Sequence, residues 1–103
     1  MNAYEATFGD KLCAVHVVAR PTVNGPTVHI ATPYIVDEDR LQLRWFANDR
    51  GHQIELPGGT QDDALARAAR FLEQRVGRQA GPFQPEPDRK SPLVIRSLRE
   101  EDR

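Results

Sequence analysis

The chain has 103 residues, a formal net charge of −1, 39% hydrophobic residues and 28% charged residues. This length supports one domain with a small core, and the balance is that of a globular protein. The near-zero charge provides no general attraction to nucleic acid or to an anionic membrane surface. The single cysteine, Cys13, excludes an intrachain disulfide and a cysteine-rich zinc site.

The N-terminal sequence lacks a basic start followed by an apolar run, which argues against a secretory signal peptide. No apolar run approaches the roughly 20 residues that a membrane-spanning helix requires. We therefore expect a cytoplasmic protein with no membrane partner. All basic residues except Lys11 and Lys90 are arginine, a skew that is typical of a GC-rich bacterial genome.

Four stretches show the signals of β-strands, because they are rich in β-branched and aromatic residues or alternate apolar with polar residues. They are Lys11–Arg20 and residues 26–36, 41–47 and 52–56. Short connections of turn-forming residues separate them, which favours an antiparallel β-meander. Pro33 predicts a bulge or a missing ladder hydrogen bond in the second strand.

The segment after the fourth strand predicts one α-helix over residues 61–76. Thr60 suits the N-cap position, and Asp62 and Asp63 suit the first turn, where the helix dipole favours anions. Apolar residues recur at helical spacing and form one stripe that would pack on the sheet. Gly77 is the expected C-terminal stop.

Beyond Gly77 the sequence becomes polar and proline-rich, which predicts a flexible C-terminal tail. We therefore divide the chain into a β4α domain, 1–77, and a linker and tail, 78–103. A short apolar stretch at 92–98 would suit an edge strand, and whether it docks on the sheet stays open. Disorder is expected for residues 99–103. The predicted fold class is α+β, a four-stranded antiparallel meander with one helix on one face.

The register of the meander follows from three closing pairs: Val36 with Leu41, Ala47 with His52, and Ala19 with Pro26. These pairs collect most apolar side chains on one face, which we assign to the helix. That face contains Cys13, Val15, Val17, Val28, Ile30, Tyr34, Val36, Leu41, Leu43, Trp45, Ile54 and Leu56.

The opposite face keeps apolar and polar side chains that only the 92–98 segment could cover. Apolar area rimmed by polar groups is typical of an interface. The candidate partner-binding residues on this face are Leu12, His16, Val18, His29, Ile35, Arg44 and Phe46. The sequence therefore predicts a non-catalytic protein-interaction module that binds a protein partner or a second copy of itself through this face.

A small regulator that binds nucleic acid or a toxin is the alternative function. It would use the arginines on the exposed face of the helix, Arg67, Arg70 and Arg78, which could contact phosphates. Pairs of Asp63 with Arg67 and of Arg70 with Glu73 would instead make this an ordinary solvated face. The near-neutral charge also disfavours nucleic acid.

The candidate chemical groups do not form a complete catalytic or metal site. His16 and His29 are predicted to be cross-strand neighbours, but two histidines without an acidic residue or cysteine beside them are an incomplete ligand set. Cys13 is predicted on the core face and His16 on the other, which argues against a thiol–imidazole pair. We therefore expect no enzyme activity, no metal and no cofactor.

The segment LPGGTQDDALARAARFLEQR, residues 56–75, resembles the strand–turn–helix of HicB-type antitoxin domains. The matching residues are Pro57, Gly58, Thr60, Asp62, Asp63, Ala64, Leu65, Ala68 and Leu72. The resemblance implies an antiparallel sheet with a helix and a later strand. It also implies a small toxin as partner, often alongside a separate DNA-binding segment.

Overall fold

A computed structural model describes residues 1–89 and 91–98 of the chain. These residues form seven β-strands and one α-helix, so the fold class is α+β, as the sequence predicts. In chain order the elements are β1 (Asn2–Phe8), β2 (Lys11–Arg20), β3 (Val28–Asp37), β4 (Gln42–Trp45), β5 (Leu56–Gly58), α1 (Gln61–Arg75), β6 (Gln84–Pro85) and β7 (Val94–Ser97). The disorder expected for 99–103 concerns residues outside the described part of the chain.

The strands join one sheet in the order β6-β1-β2-β3-β4-β7, with β5 beside the first part of β3. Neighbouring strands are antiparallel except β4 and β7, which run parallel. The prediction of four strands is therefore wrong, although β1 to β4 do follow one another as a meander. A parallel neighbour needs a long connection, and the connection from β4 to β7 contains the helix.

Strand β1 is absent from the sequence-based prediction, although its sequence carries strand signals. Its side chains alternate, so Tyr4 and Ala6 lie on one face and Glu5 lies on the other. Gly9 and Asp10 form a two-residue turn to β2, and Gly9 has a φ of 61°, which suits the first position of such a turn. Because β1 pairs with β2 along its whole length, β2 is an interior strand.

The register between β2 and β3 corrects the predicted division of the sheet into two faces. The sequence predicts Ala19 opposite Pro26, whereas Ala19 lies opposite His29. Pro26 has no N–H for the ladder. Residues 21–27 form a longer loop, in which the Thr22 hydroxyl donates to the Pro26 carbonyl at 2.9 Å. The shift from position 26 to position 29 is odd, so the side chains of β3 lie on the face opposite to the predicted one.

The turn from β3 to β4 is also longer than predicted. Val36 lies opposite Leu43 instead of Leu41. The Asp37 carboxylate accepts the Arg40 N–H at 3.1 Å, and Leu41 adopts a left-handed φ of 55° inside the turn. This shift is even, so the side chains of β4 keep their predicted relation to those of β3. The side chains of both strands therefore lie on the face opposite to the predicted one.

The third turn returns the chain to the predicted face. Ala47 lies opposite Gln53 instead of His52, which is another odd shift. Two odd shifts cancel, so Ile54 and Leu56 pack in the helix-covered core as the sequence predicts.

Pro33 is fully buried in the middle of β3, where the sequence predicts a break in the ladder. On one side β3 pairs with β2. On the other side its partner is β5 as far as Ala31 and β4 from Tyr34 onward. Pro33 therefore lies in the gap between two partner strands, where proline is tolerated.

Helix α1 ends one residue earlier than predicted, and its N-terminus is capped as predicted. The Thr60 hydroxyl oxygen accepts the Asp63 N–H at 3.1 Å. Three residues of α1 are buried against the sheet: Ala64, Ala68 and Leu72. The helix therefore presents a narrow stripe of small and aliphatic residues to the core.

Both ends of α1 approach the backbone of other elements at glycines. A Cβ atom on Gly58 would lie 2.4 Å from the backbone nitrogen of Ala64. A Cβ atom on Gly77 would lie 2.8 Å from the Cα of Gly9. Only glycine fits such approaches, so these contacts fix the helix against β5 at one end and against the β1–β2 turn at the other.

The sheet has two sides, which we call the helix side and the tail side. The helix-side core consists of Ala6, Phe8, Cys13, Val15, Val17, Ala31, Phe46, Ala64, Ala68 and Leu72. The tail side holds a smaller cluster of Ala14, Tyr34, Val36 and Leu43. The predicted helix face is thus wrong for six residues, which lie on the tail side: Val28, Ile30, Tyr34, Val36, Leu43 and Trp45.

The chain after α1 runs across the tail side, from one edge of the sheet to the other. β6 pairs with β1 at one edge, and β7 pairs with β4 at the other. Residues 86–89 and 91–93, which we call the crossing segment, pass between these edges. β7 lies within the stretch 92–98, so this stretch is docked on the sheet. In the described residues, no helix is long and apolar enough to cross a membrane.

Candidate interaction site

The seven residues predicted to form one contact surface lie on two sides of the sheet. Three of them, all in β2, point to the tail side: Leu12, His16 and Val18. The other four point to the helix side: His29, Ile35, Arg44 and Phe46. The odd register shift between β2 and β3 separates the two groups, so the prediction of one common surface is wrong.

Phe46, the predicted centre of that surface, belongs to the helix-side core. It is 7% exposed, and its ring meets the ring of Phe71 edge-on, with centroids 5.2 Å apart and an interplanar angle of 86°. This is a favourable aromatic geometry. The Arg75 guanidinium lies 5.0 Å from the centroid of the Phe71 ring. Phe46 therefore stabilises the packing of α1 and is not available to a partner.

The other three helix-side candidates also contact elements of the fold. Arg44 is 3% exposed, and its guanidinium donates to the Ser97 carbonyl at 3.2 Å and to the Gln42 side chain. It therefore links β4 to β7. Ile35 packs against the helix-side core, and His29 lies where β3 pairs with β5.

Four ionisable side chains meet on the tail side, and we call them the tail-side cluster. Glu5 and His16 come from β1 and β2, and Glu86 and Arg89 come from the crossing segment. Arg89 Nη2 lies 2.8 Å from Glu5 Oε2, and Arg89 Nη1 lies 3.5 Å from Glu86 Oε1. Glu86 Oε2 lies 3.6 Å from His16 Nε2. The cluster therefore connects the crossing segment to two strands.

Burial shifts two pKa values of the cluster in opposite directions. Burial raises the pKa of Glu5, because desolvation disfavours the carboxylate, and Arg89 opposes this shift. Burial lowers the pKa of His16, because it disfavours the imidazolium, and Glu86 opposes this shift. At neutral pH, Arg89 is therefore the cation of the cluster and His16 is neutral.

Aromatic packing holds the His16 ring in place. The imidazole lies against Tyr34, with ring centroids 4.8 Å apart and an interplanar angle of 52°. The Tyr34 hydroxyl accepts a hydrogen bond from Gln53 at 3.3 Å. Burial raises the pKa of Tyr34, so its phenol stays protonated at neutral pH. His16 is therefore a packed side chain of the sheet.

An open groove of about 290 Å³ lies between the crossing segment and β7. It is lined by His16 and Leu43 of the sheet, by Glu86 and Arg89 of the crossing segment, and by Ile95 of β7. Its lining is both charged and aliphatic, and it opens to solvent. Such a groove suits side chains of a protein partner better than an enclosed small molecule.

Strand β7 is an apolar edge of the sheet in the part of the chain that the structure describes. The side chains of Val94 and Ile95 are 49% and 51% exposed. The Val94 N–H donates to the Leu41 carbonyl at 2.8 Å. Backbone groups of successive strand residues point to opposite sides, so the N–H and C=O of Ile95 point away from β4. Ile95 lies opposite Leu43, so the tail-side apolar residues Ala14, Tyr34, Val36 and Leu43 continue to this edge as one apolar strip.

The candidate chemical groups lie apart. His16 lies opposite Thr32 and His29 lies opposite Ala19, on different sides, so the two histidines are not the neighbours that the sequence predicts. In the described part of the chain, no three histidine, cysteine or acidic residues form a group that could hold a metal ion. Cys13 is buried, and burial raises its pKa to about 12, which makes the thiol a weak nucleophile.

The exposed face of α1 does not contain the predicted ion pairs. Among the described residues, no ion pair within 4.0 Å joins Asp63 to Arg67 or Arg70 to Glu73. The Glu73 carboxylate instead accepts the Gln79 N–H at 3.3 Å. Arg67 and Arg70 therefore keep their charges directed to solvent.

Sequence reasoning missed the charged residues of the tail side. The polar position of Glu5 between Tyr4 and Ala6 is a signal that could have revealed β1 and its polar face. Glu86 and Arg89 carry no such signal, because their positions depend on the path of the crossing segment. No family model, no curated protein and no solved structure matches the chain.

Proposed function

We propose that this protein is a non-catalytic protein-interaction module that pairs with a second copy of itself through β7. The observation that carries the proposal is the half-exposed Ile95 on an apolar edge strand. It lies where the apolar strip of the tail side meets solvent. The proposed contact surface is thus the exposed edge of β7.

The two edges of the sheet differ in a way that favours β7. Natural proteins protect sheet edges with short strands, charges and proline, because an exposed edge is a template for another strand. β6 has two exposed residues, and one of them is Pro85. β7 has four residues without proline, three of them are exposed, and Arg96 carries its one charge. β7 is therefore the less protected edge among the described strands.

The sequence of β7 suits pairing about a twofold axis. An antiparallel pair centred on Ile95 would place Ile95 opposite the partner's Ile95 and Val94 opposite the partner's Arg96. The two half-exposed isoleucines would then cover each other, and the two Arg96 charges would stay apart. Such self-complementarity is what a twofold dimer interface requires.

Analytical ultracentrifugation of two matched lysine variants tests this function. We expect the wild type to form a concentration-dependent dimer and Ile95→Lys to remain monomeric, because the lysine would face its own copy across the axis. Val23→Lys is the matched control, since Val23 is 95% exposed in the loop between β2 and β3. A monomeric wild type, or an Ile95→Lys variant that dimerises like the control, would reject the proposal.

The second candidate function is a regulator that binds nucleic acid, or a small toxin as in HicB-type domains, through α1. It is supported by an open depression that Arg67 and Arg70 share with Phe71 and Leu56. A mobility-shift titration at increasing salt is the test, since phosphate contacts weaken with salt. A salt-sensitive shift that an Arg67→Ala, Arg70→Ala variant loses would support this function, and no shift in the wild type would exclude nucleic acid.

A further inference from the structure

The chain between α1 and the crossing segment is bound along the outer edge of β1 by a few backbone contacts. The Ala80 N–H donates to the Thr7 carbonyl at 2.9 Å, and the Glu86 N–H donates to the Ala3 carbonyl at 2.9 Å. The strand formed here, β6, has two residues, and both are exposed. The segment is therefore placed like an added edge strand rather than like a part of the core.

We propose that the tail side around Glu5 is a recognition site for an extended, proline-containing peptide that carries an arginine, and that residues 79–89 occupy this site as an internal ligand. The surface is distinct from the β7 edge, so the inference does not depend on self-association. The partner is a protein with an exposed segment of this chemistry.

The strongest element of the site is the carboxylate of Glu5. Glu5 is 7% exposed on β1, and Arg89 Nη2 lies 2.8 Å from its Oε2 atom. A buried carboxylate is stable only with a cation or with several donors beside it. Guanidinium is the side chain that best satisfies it, because it is always charged and presents several donors in a planar fork. The site therefore selects arginine.

The second element is the open edge of β1, which fixes the path of the ligand backbone. Glu5 lies opposite Gln84, and Tyr4 lies opposite Pro85. Pro85 and Pro87 restrict the backbone to extended conformations, so little entropy is lost on binding. Together with Arg89 they form the pattern Pro-x-Pro-x-Arg, which describes the chemistry of a competing peptide.

The internal ligand is held in a way that permits exchange. One of its apolar side chains, Phe83, packs against the helix-side core, in a tilted pair with Phe8 at 5.9 Å between ring centroids. Gly81, at a φ of 105°, has no atom within 4 Å of a Cβ position and lies in exposed chain. Segments with few apolar contacts open at low free energy. Because a tethered segment competes at an effective concentration on the order of millimolar, a partner in solution binds weakly until the segment is released.

A labelled peptide tests the inference on the full chain. The probe is a synthetic peptide with the sequence of residues 79–89 and an amidated C-terminus, and its binding is measured by fluorescence anisotropy. The chain variant Arg89→Ala keeps Glu5 but loses the internal anchor. We expect it to bind the probe about tenfold more tightly than the wild type does, because the internal segment no longer competes.

Two matched controls identify the contact that carries binding. A probe with Arg89→Ala, and the chain variant Glu5→Gln combined with Arg89→Ala, should each weaken binding about tenfold. Binding that is unchanged in either control, or absent from a folded Arg89→Ala chain, would overturn the inference. Each chain variant is also made with Ile95→Lys. Probe binding is compared with and without this substitution, so that a failure of the proposed β7 dimer is distinguished from a failure of the peptide site.

A second measurement covers the case in which Arg89→Ala does not fold, as judged by circular dichroism. The wild-type chain is then exposed to the probe at roughly millimolar concentration, and hydrogen exchange of the Glu86 amide is followed by NMR. This amide is bonded to the Ala3 carbonyl only while the internal segment is in place. Faster exchange with the probe supports the inference, and unchanged exchange rejects it.

Discussion

The two sides of the sheet are covered by segments of opposite character. On the helix side, Phe8, Val15 and Leu72 are fully buried, and the helix is fixed at both ends by glycine contacts. On the tail side, the crossing segment is held by charged groups, chiefly Arg89 on Glu5. The first covering removes apolar surface from water, and the second pairs a buried carboxylate with a guanidinium.

This difference indicates how the two sides divide stability and function. Burial of apolar surface is the dominant stabilising contribution, so the helix side carries most of the free energy of unfolding. A charged contact contributes less, because desolvation offsets much of the attraction. The tail side is therefore the part of the molecule that can open, and it is where we place the interaction surfaces.

The largest expected effect comes from placing a charge beneath the helix. Phe46→Arg should lower the free energy of unfolding by at least about 4 kcal/mol, because it removes a buried ring and buries an unpaired cation. Urea denaturation followed by circular dichroism and by the fluorescence of Trp45 measures this loss. Val23→Arg, in an exposed loop, should leave stability unchanged. Native stability of Phe46→Arg would contradict the register of the sheet.

The second prediction concerns the close approach of the helix to β5. Gly58→Ala should lower the free energy of unfolding by about 1–3 kcal/mol, because its Cβ would meet the backbone of Ala64. Gly59→Ala is the matched control, since its Cβ would meet only a carboxylate oxygen of Asp63 at 3.8 Å. Thermal unfolding of both variants makes the comparison. Equal midpoints would show that α1 does not approach β5 this closely.

Local signals explain why the elements on the helix side could be predicted from the sequence. Thr60 caps the helix within three residues of its partner Asp63, and the spacing of Ala64, Ala68 and Leu72 defines its buried stripe. Each of these features depends on neighbours in the sequence. The helix and the strand character of residues 11–20 therefore agree with the structure.

The division of the sheet into faces could not be predicted, because it depends on one loop. The conformation of residues 21–27 decides which residue of β3 lies opposite Arg20. In the structure this residue is Val28, and a shorter loop would place an earlier residue there. A single odd shift there moves Phe46 from the outer face to the core. The pairing of β7 with β4, and of Arg89 with Glu5, joins distant parts of the chain, for which local patterns carry no information.

The third prediction tests the charged attachment of the tail side. Arg89→Ala should lower the global free energy of unfolding by only about 1–2 kcal/mol, because the segment can detach and expose Glu5 to water. Cleavage by chymotrypsin after Phe83 should become faster. The matched control is Arg20→Ala, whose ion pair with Glu55 at 3.8 Å lies at the surface and contributes little. Equal cleavage of the two variants would mean that Arg89 does not hold the segment.

The smallest expected effect is a dependence of stability on pH that originates at His16. Its pKa is lowered in the folded protein by burial, against an unfolded value of about 6.5. The unfolded chain therefore binds a proton at His16 more readily than the folded chain does. It follows that the contribution of His16 is fully present above about pH 6.5 and is lost as the pH falls below that value.

Glu5 acts in the opposite direction at lower pH, because burial raises its pKa and the folded state then takes up a proton first. The His16 contribution is therefore obtained by difference, from urea unfolding of the wild type and of His16→Gln at pH 7.5 and at pH 5.5, values chosen on either side of roughly 6.5. We expect the variant to lose less stability than the wild type between these two conditions, whereas His52→Gln, on the loop before β5, should follow the wild type. If His16→Gln and the wild type lose the same stability, the imidazole is not desolvated, and the crossing segment does not cover the tail side as closely as its contacts with Glu86 and Arg89 imply.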